Sequence, residues 1–241
     1  MGTYFSVEYM LQALPVLLSY MDVTVLVTVL AEAAALALGC AAALARIHRL
    51  PGLQQLSMVY ISFVRGTPFL VQLYLICFGL PQLMQAAGYT DIRSLPVLLL
   101  VLVVMALHSG AYVAEILRGS ILAVPAGQME AALSVGMSRS QAYRRIVLPQ
   151  AFRLAIPALG NEVIFALKNT SLVFNVGVVD MLSKAELMGS FSYRNLELYL
   201  DVGLVYILLC FAIHGGTLLL ENCRWHSVRR VRPSAAAAVE S

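Results

Sequence analysis

The chain has 241 residues, of which 60% are hydrophobic and 12% charged, and its mean hydropathy is +0.82. Roughly a quarter of an ordinary soluble domain is charged. The composition therefore excludes a disordered chain and argues against a water-soluble globule, whose surface so few charges cannot cover. The net charge of +3 gives no reason to expect a nucleic-acid partner. Cys40, Cys77, Cys210 and Cys223 form no CxxC pair, so they read as buried or free thiols, neither a disulfide framework nor a metal site.

At about 20 apolar residues per bilayer crossing, the chain has room for several spans. An amphipathic stretch from Tyr9 to Tyr20 suits the outer interface. The first span is expected over Val23–Ala45, stopped by Arg46, His48 and Arg49. The second is expected over Pro68–Ala87 and the third over Leu95–Leu117, with Arg118 ending it. The fourth covers Leu154–Val179 and the fifth Tyr199–Leu220. The expected fold is all-α and polytopic, with five membrane helices. The N-terminus lacks a basic n-region and an A-x-A site, so a cleaved signal peptide is not expected. No internal repeat is visible, and Pro233–Ser241 reads as a disordered tail.

Charge sets the orientation. With the N-terminus outside, eleven basic residues fall on the inner side: Arg46, Arg49, Arg118, Arg139, Arg144, Arg145, Arg153, Arg224, Arg229, Arg230 and Arg232. Only Arg93, Lys184 and Arg194 fall outside, while Arg65 and Lys168 lie at or within spans. Cytoplasmic loops carry the excess of Lys and Arg, which gives N-out, C-in.

The stretch from Arg118 to Arg153 is too long for a tight connection, and such loops usually have a function. Pro125 suits a first helical turn, and the run Gly127–Val135 favours helix. Gly136 can take the left-handed conformation that ends it. Ser138, with Gln141 three residues on, forms a capping box opening a second helix that is expected to stop at Pro149. The result is a helical hairpin on the cytoplasmic face. Solvent contact poorly explains its apolar Met129, Ala132, Leu133 and Val135.

Within this hairpin, Glu130-Ala131-Ala132, then Gly136, then Ile146-x-Leu148-Pro149 resembles the EAA motif of ABC importer permeases, with matching spacing throughout. Tyr60–Pro68, Ala111–Arg118 and Lys168–Leu172 resemble further segments of permeases for polar amino acid uptake. The likeness spans about residues 10 to 226. It implies one transmembrane domain of the type I importer kind over residues 1–232, five N-out spans and location in the bacterial inner membrane. Residues 118–153 would then couple to a separate ATPase, with Ala131 and Ala132 small enough for close approach and Glu130 adding a polar contact. The implied partners are two ATPase subunits, a second permease subunit (a copy or a paralogue), an extracytoplasmic solute-binding protein, the lipid bilayer and an amino acid substrate. ATP and Mg would belong to the ATPase, because this chain has no G-x-x-x-x-G-K-[ST] loop.

Polar residues inside the spans are candidates for the substrate route, because they are expensive in lipid. Asn161, Lys168 and Asn175 recur every seven residues and share a helical face, with Thr170 and Ser171 beside it. Lys168 either attracts a substrate carboxylate or pairs with Glu115 or Glu162. His108, Tyr112 and Glu115 share a face of the third span, as ligand lining or as interhelical hydrogen bonds. Gly66-Thr67-Pro68 breaks the helix ahead of Gln72, so freed carbonyls either hold a substrate ammonium group or mark a plain kink. Glu32 and His214 read as interhelical contacts.

Three functions compete. An ABC permease for a polar amino acid explains the hairpin. An ion-gradient-driven secondary transporter explains the buried charges but not the Glu130–Pro149 motif. A membrane enzyme has no recognisable site, with neither H-E-x-x-H nor a nucleophile elbow. Val59–Gln82 and Gln128–Ala151 most resemble permeases for cystine and related amino acids. Where that family usually has Asp, this chain has Asn169, which disfavours a cationic substrate.

Overall fold

Helices cross lipid because they satisfy their own backbone hydrogen bonds, and helix is the only regular structure among the described residues. The computed structural model describes residues 5–88 and 95–225. In chain order the helices are α1 (Val7–Leu18), α2 (Met21–Ile47), α3 (Leu53–Gly66), α4 (Phe69–Ala86), α5 (Val97–Leu122), α6 (Ala126–Ser134), α7 (Arg139–Val176), α8 (Met181–Ser192) and α9 (Asn195–Trp225). Four of them, α2, α4, α5 and α9, are long and apolar enough to span a membrane. The bent pair α7–α8 makes a fifth.

The expected spans fall on these helices with adjustments. The segment before Pro68 is helical as α3. Ser57, Ile61 and Val64 face inward while Leu56, Val59 and Phe63 stay exposed, as lipid contact allows. The fourth span does not begin near Leu154, because α7 runs unbroken from the hairpin into the apolar region. Its last turns tighten into a 3₁₀ helix over Thr170–Val176, Gly177 reverses the chain at φ +91°, and α8 leaves at 48°. The tail Pro233–Ser241, Arg229, Arg230, Arg232, Arg93 and the boundary at 232 lie outside the described residues.

Pro149 does not end the second hairpin helix. A proline lacks an N–H and its ring crowds the carbonyl four residues back. A wide turn over Tyr143–Val147 absorbs both problems, and Leu148 N bonds Tyr143 O instead. The same solution recurs in α4, where Leu75–Gly79 form a wide turn just before Pro81 and Leu80 N bonds Leu75 O. Two sequence features that look like helix stops are thus built into continuous helices.

Helices α2 and α5 form the central pair. Lipid supplies no hydrophobic drive between helices, so close backbone approach matters. The seam is accordingly lined by small residues: Ala31, Ala35, Gly39 and Ala42 on α2 meet Ser109, Gly110, Ala111 and Ala114 on α5. A Cβ at Gly39 would stand 2.5 Å from Val113 Cγ1 and 3.0 Å from the Ala114 amide nitrogen. Around this pair, Val27, Phe69, Leu73, Val101, Val104, Met105, Ala166 and Val173 bring in α4 and α7. A second core, of Ala13, Leu17, Met181, Ala185, Leu198 and Val202, fastens α1 and α8 to α9.

Candidate functional site

The hairpin forms much as its sequence specifies. Helix α6 closes with paired terminal bonds, Gly136 N to Leu133 O at 3.0 Å and Met137 N to Ala132 O at 3.1 Å. Gly136 sits at φ +83°, where a side chain is strained. Ser138 Oγ accepts from Gln141 N while Gln141 Oε1 accepts from Ser138 N, the reciprocal cap of α7. Gln150 Nε2 donates to Gln128 Oε1 and to Ile146 O, tying the two arms.

The side chains divide between two surfaces. Ala132 is buried and Met129 packs with Val124, Tyr143, Val147 and Ala151. Ala132 is therefore small for the hairpin's own closure, which corrects the expectation that both alanines face a partner. Glu130, Ala131 and Gly136 are exposed, Ile146 is half-buried, and Leu148 and Pro149 are exposed. Leu133 and, at 75% exposure, Val135 project from the same end. The hairpin thus offers an apolar and acidic tip with nothing from the described chain covering it.

Inside the bundle, Gln72 and His108 meet. His108 Nδ1 stands 3.0 Å from Gln72 Oε1, an acceptor, so Nδ1 carries the proton. Gln72 Nε2 donates to Val64 O (2.8 Å), Thr67 O (3.0 Å) and Thr67 Oγ1 (2.8 Å). The carbonyls freed at the Gly66–Pro68 break are therefore taken up by a glutamine from the next turn. Phe69 stacks edge-on against His108, and Tyr112 packs beside it under the Arg65 guanidinium. Sequence reasoning set His108 and Tyr112 on one face of the third span and Thr67 and Gln72 at a separate helix break. The structure joins them through mutual contacts.

Glu115 does not join that group. It is clamped between Arg46 of α2 and Arg118 of its own helix, the latter at 2.8 Å. Lys168 therefore pairs with neither Glu115 nor, among the described residues, any other acid. Glu162 instead lies near Glu32 of α2, so Glu32 makes the interhelical contact expected of it, with its Oε1 buried and without a hydrogen-bond partner. His214 does not: it is exposed and makes no hydrogen bond among the described residues.

Asn161, Lys168 and Asn175 form an exposed polar strip on α7. Tyr74 OH donates to Asn175 Oδ1 at 3.3 Å. Lys168 and Ser171 open into a cavity of about 280 Å³ with Leu182, Tyr199, Val202, Gly203 and Tyr206. Thr170 is fully buried, donates to Leu167 O and stands 3.3 Å from Tyr206 OH. Behind the cavity, Tyr206 OH donates to Asp180 Oδ2 at 3.2 Å, and Asp180 Oδ1 accepts from Ser183 N and Ser183 Oγ. Thr24 Oγ1 accepts from Met181 N at 3.4 Å, so α2, α8 and α9 meet at one buried acid. Among the described residues no three His, Cys, Asp or Glu side chains cluster in a way that could hold a metal.

The family described as the inner membrane component of binding-protein-dependent transport systems matches residues 35–222. The chain belongs to that family. It is 44% identical to a probable amino-acid ABC transporter permease of Vibrio harveyi over 84% of this chain and 88% of the relative. It is 42% identical to an L-cystine transport system permease of Bacillus subtilis, covering 80% of each chain. A glutamine transport system permease of Escherichia coli is 33% identical over 83% of this chain and 89% of the relative. The crystal structure of an amino acid ABC transporter with histidines superposes with a TM-score of 0.81 at 32% identity, over 92% of this chain and 99% of that one.

The permease is an all-α inner-membrane component with the type I importer fold. Family membership implies an ATPase and a binding protein as partners in general terms. Sequence reasoning missed three parts of the permease. The Asp180–Tyr206 link was invisible because its ends lie 26 positions apart on different helices. Arg46 and Glu115 lie 69 apart, and that clamp was legible only as two charges at helix ends. Tyr199 and Tyr206 are seven apart on α9, a spacing that could have placed them on one face.

Proposed function

We propose that this chain is the membrane-spanning half-pathway of an ABC importer for a neutral or zwitterionic polar amino acid of the cystine kind. The observation that carries the reading is the hairpin. A rigid, doubly capped element leaves Glu130, Ala131, Leu133 and Val135 uncovered at the end where the basic residues place the cytoplasm. The chain itself has no nucleotide-binding loop.

Under this reading, ATP and Mg are held by two partner ATPase subunits, and this chain binds no cofactor. Each ATPase receives one hairpin tip, with Glu130 and Ala131 in contact and Gly136, Ile146, Leu148 and Pro149 fixing the angle of the two arms. Closure of the ATPases pulls the hairpins as levers. Because α7 is continuous from Arg139 to Val176, the pull reaches the 3₁₀ turn beside Lys168 without an intervening joint. A second permease subunit covers the exposed Asn161–Lys168–Asn175 strip, which lipid cannot solvate.

Lys168 in this scheme offers the cation for a substrate carboxylate, with Ser171 beside it. Thr67, Gln72, His108 and Tyr112 act from behind, holding α4 against α5, and Thr170 fixes the turn. Asn169 leaves out a negative charge a cationic amino acid would want. The named relatives include permeases for cystine and glutamine, which supports a zwitterionic substrate. No feature of the fold favours ion-gradient-driven transport.

The test is uptake of a panel of labelled amino acids into vesicles carrying this chain with its ATPase and binding protein. ATP-dependent, vanadate-sensitive uptake of one zwitterionic compound is expected. Uptake that survives ATP depletion and collapses with the ion gradient would overturn the reading.

A further inference from the structure

At the inner end of the bundle, a second cavity lies between the last turn of α2 and the hairpin. It holds about 590 Å³ and is lined by Leu44, Ile47 and His48 from α2, and by Arg139, Tyr143, Arg144 and others from the hairpin side. Its chemistry is two-sided. Leu44 and Ile47 of the spanning helix α2, with Met129 and Leu148 of the hairpin, supply its apolar lining. His48, Arg139 and Arg144 share the lining with them, and neither arginine makes an ion pair among the described residues. At the join, His48 and Tyr143 rings stand 6.2 Å apart, and the Tyr143 hydroxyl is buried with no hydrogen-bond partner. A buried hydroxyl without a partner is costly unless something supplies an acceptor.

Depth supports the same conclusion. Arg46, the residue just before Ile47, is consumed by Glu115 and directly follows the apolar run of α2. Arg139 and Arg144 belong to the basic set that orients this face to the cytoplasm, where the leaflet carries anionic lipid. A ligand that satisfies every wall must be apolar at one end and carry an anionic, oxygen-rich group at the other.

We propose that this cavity is a binding site for an anionic phospholipid of the inner leaflet. Its acyl chain lies along Leu44, Ile47 and Leu148. Its phosphate sits between Arg139 and Arg144 and accepts from Tyr143 OH. A lipid wedged here braces the hairpin against α2, so the anionic lipid content of the membrane sets how firmly the coupling arm is held. The inference uses the cytoplasmic placement of this face and not the identity of the substrate.

The experiment takes the assembled transporter, permease with ATPase, from nanodiscs of phosphatidylcholine mixed with phosphatidylglycerol, and counts retained lipid by native mass spectrometry. One phosphatidylglycerol per permease chain is expected, with no retained phosphatidylcholine. Each basic side chain near an anionic surface is worth about fivefold, so Arg139→Ala with Arg144→Ala should retain about thirtyfold less. Tyr143→Phe keeps the ring and loses a hydrogen bond to a charged group, for about a tenfold loss. Arg153→Ala, a basic position on the same helix outside the cavity, should retain wild-type lipid. Both arginines are exposed, so the double variant should melt within a degree or two of wild type, which separates lost binding from lost folding. Equal retention by wild type and the double variant overturns the proposal, as does equal retention of phosphatidylcholine. Displacement by millimolar inorganic phosphate overturns it in favour of a soluble anion. A cross-link from Ser140→Cys to the ATPase in lipid-free complex overturns it in favour of a subunit contact. None of these outcomes depends on whether uptake is ATP-driven, so failure here leaves the functional reading standing.

Discussion

The hairpin and the buried polar network around Asp180 could hardly differ more in how they are held. The hairpin's contacts are local: a cap between residues 138 and 141, and terminal bonds spanning three to five residues. Its tip is uncovered. The Asp180 network joins α2, α7, α8 and α9, with Thr24, Thr170, Asp180 and Ser183 all at zero to trace exposure. The difference teaches where each region's energy lies. Disturbing the hairpin should spare the fold and remove the work it does. Disturbing the network should cost the fold itself.

That contrast can be broken by measurement. The largest effect is expected for Asp180→Ala, which strands Tyr206 OH, Ser183 N and Ser183 Oγ together around a fully buried position. The expected loss is about 3 kcal/mol, read as a lower melting temperature of the detergent-solubilised complex. A change under 1 kcal/mol would mean water reaches the site. Gly39→Ala comes next, because its methyl group meets Val113 and the α5 backbone, at about 2 kcal/mol. Its melting temperature should fall without any effect on ATPase binding.

The hairpin variants should separate stability from function. At Gly136 the space around a Cβ is open, so the cost of Gly136→Val is backbone strain alone, about 1–2 kcal/mol. Uptake should nonetheless be abolished at wild-type membrane levels, and retained uptake would refute the lever. The smallest stability effect is expected for Val135→Asp, under about 0.5 kcal/mol because the side chain is already in solvent. Co-purification of the ATPase should fall sharply. If Val135→Asp leaves the complex intact, the apolar tip is not the docking surface.

The two regions also divide what could be read in advance. The hairpin was legible because its rules are short-range: Gly136 and the Ser138–Gln141 box act within a few residues whatever lies around them. Its misread stop at Pro149 came from a remedy that the local rule omits, a wide turn over Tyr143–Val147. The spans were legible because lipid imposes one requirement on every crossing helix. Helix α3 was missed because its inner face carries Ser57 and Tyr60 and its flanks Gln54, Gln55 and Arg65, which dilute the apolar run.

Among the polar residues, periodicity found the strip on α7 and put His108 and Tyr112 on one face, but it left Thr67 and Gln72 at a separate helix break. It could not say what each group bonds. Glu115 shares a helical face with His108 yet turns to Arg46, because a buried carboxylate follows the nearest cations on any helix. Ala132 shares a motif with Ala131 yet faces inward, because adjacent residues on a helix point about 100° apart.

The sequence alone therefore determined that the chain lives in a membrane, that it has four to five helices able to cross one, where its basic residues gather and where the hairpin turns. These follow from apolar length, charge sign and capping, each of which acts along the chain. The tertiary structure alone decided which polar groups are spent on one another and which remain open. In lipid every buried polar group takes the partner that packing brings within reach, and that partner is set by how helices cross, over distances that no local pattern encodes.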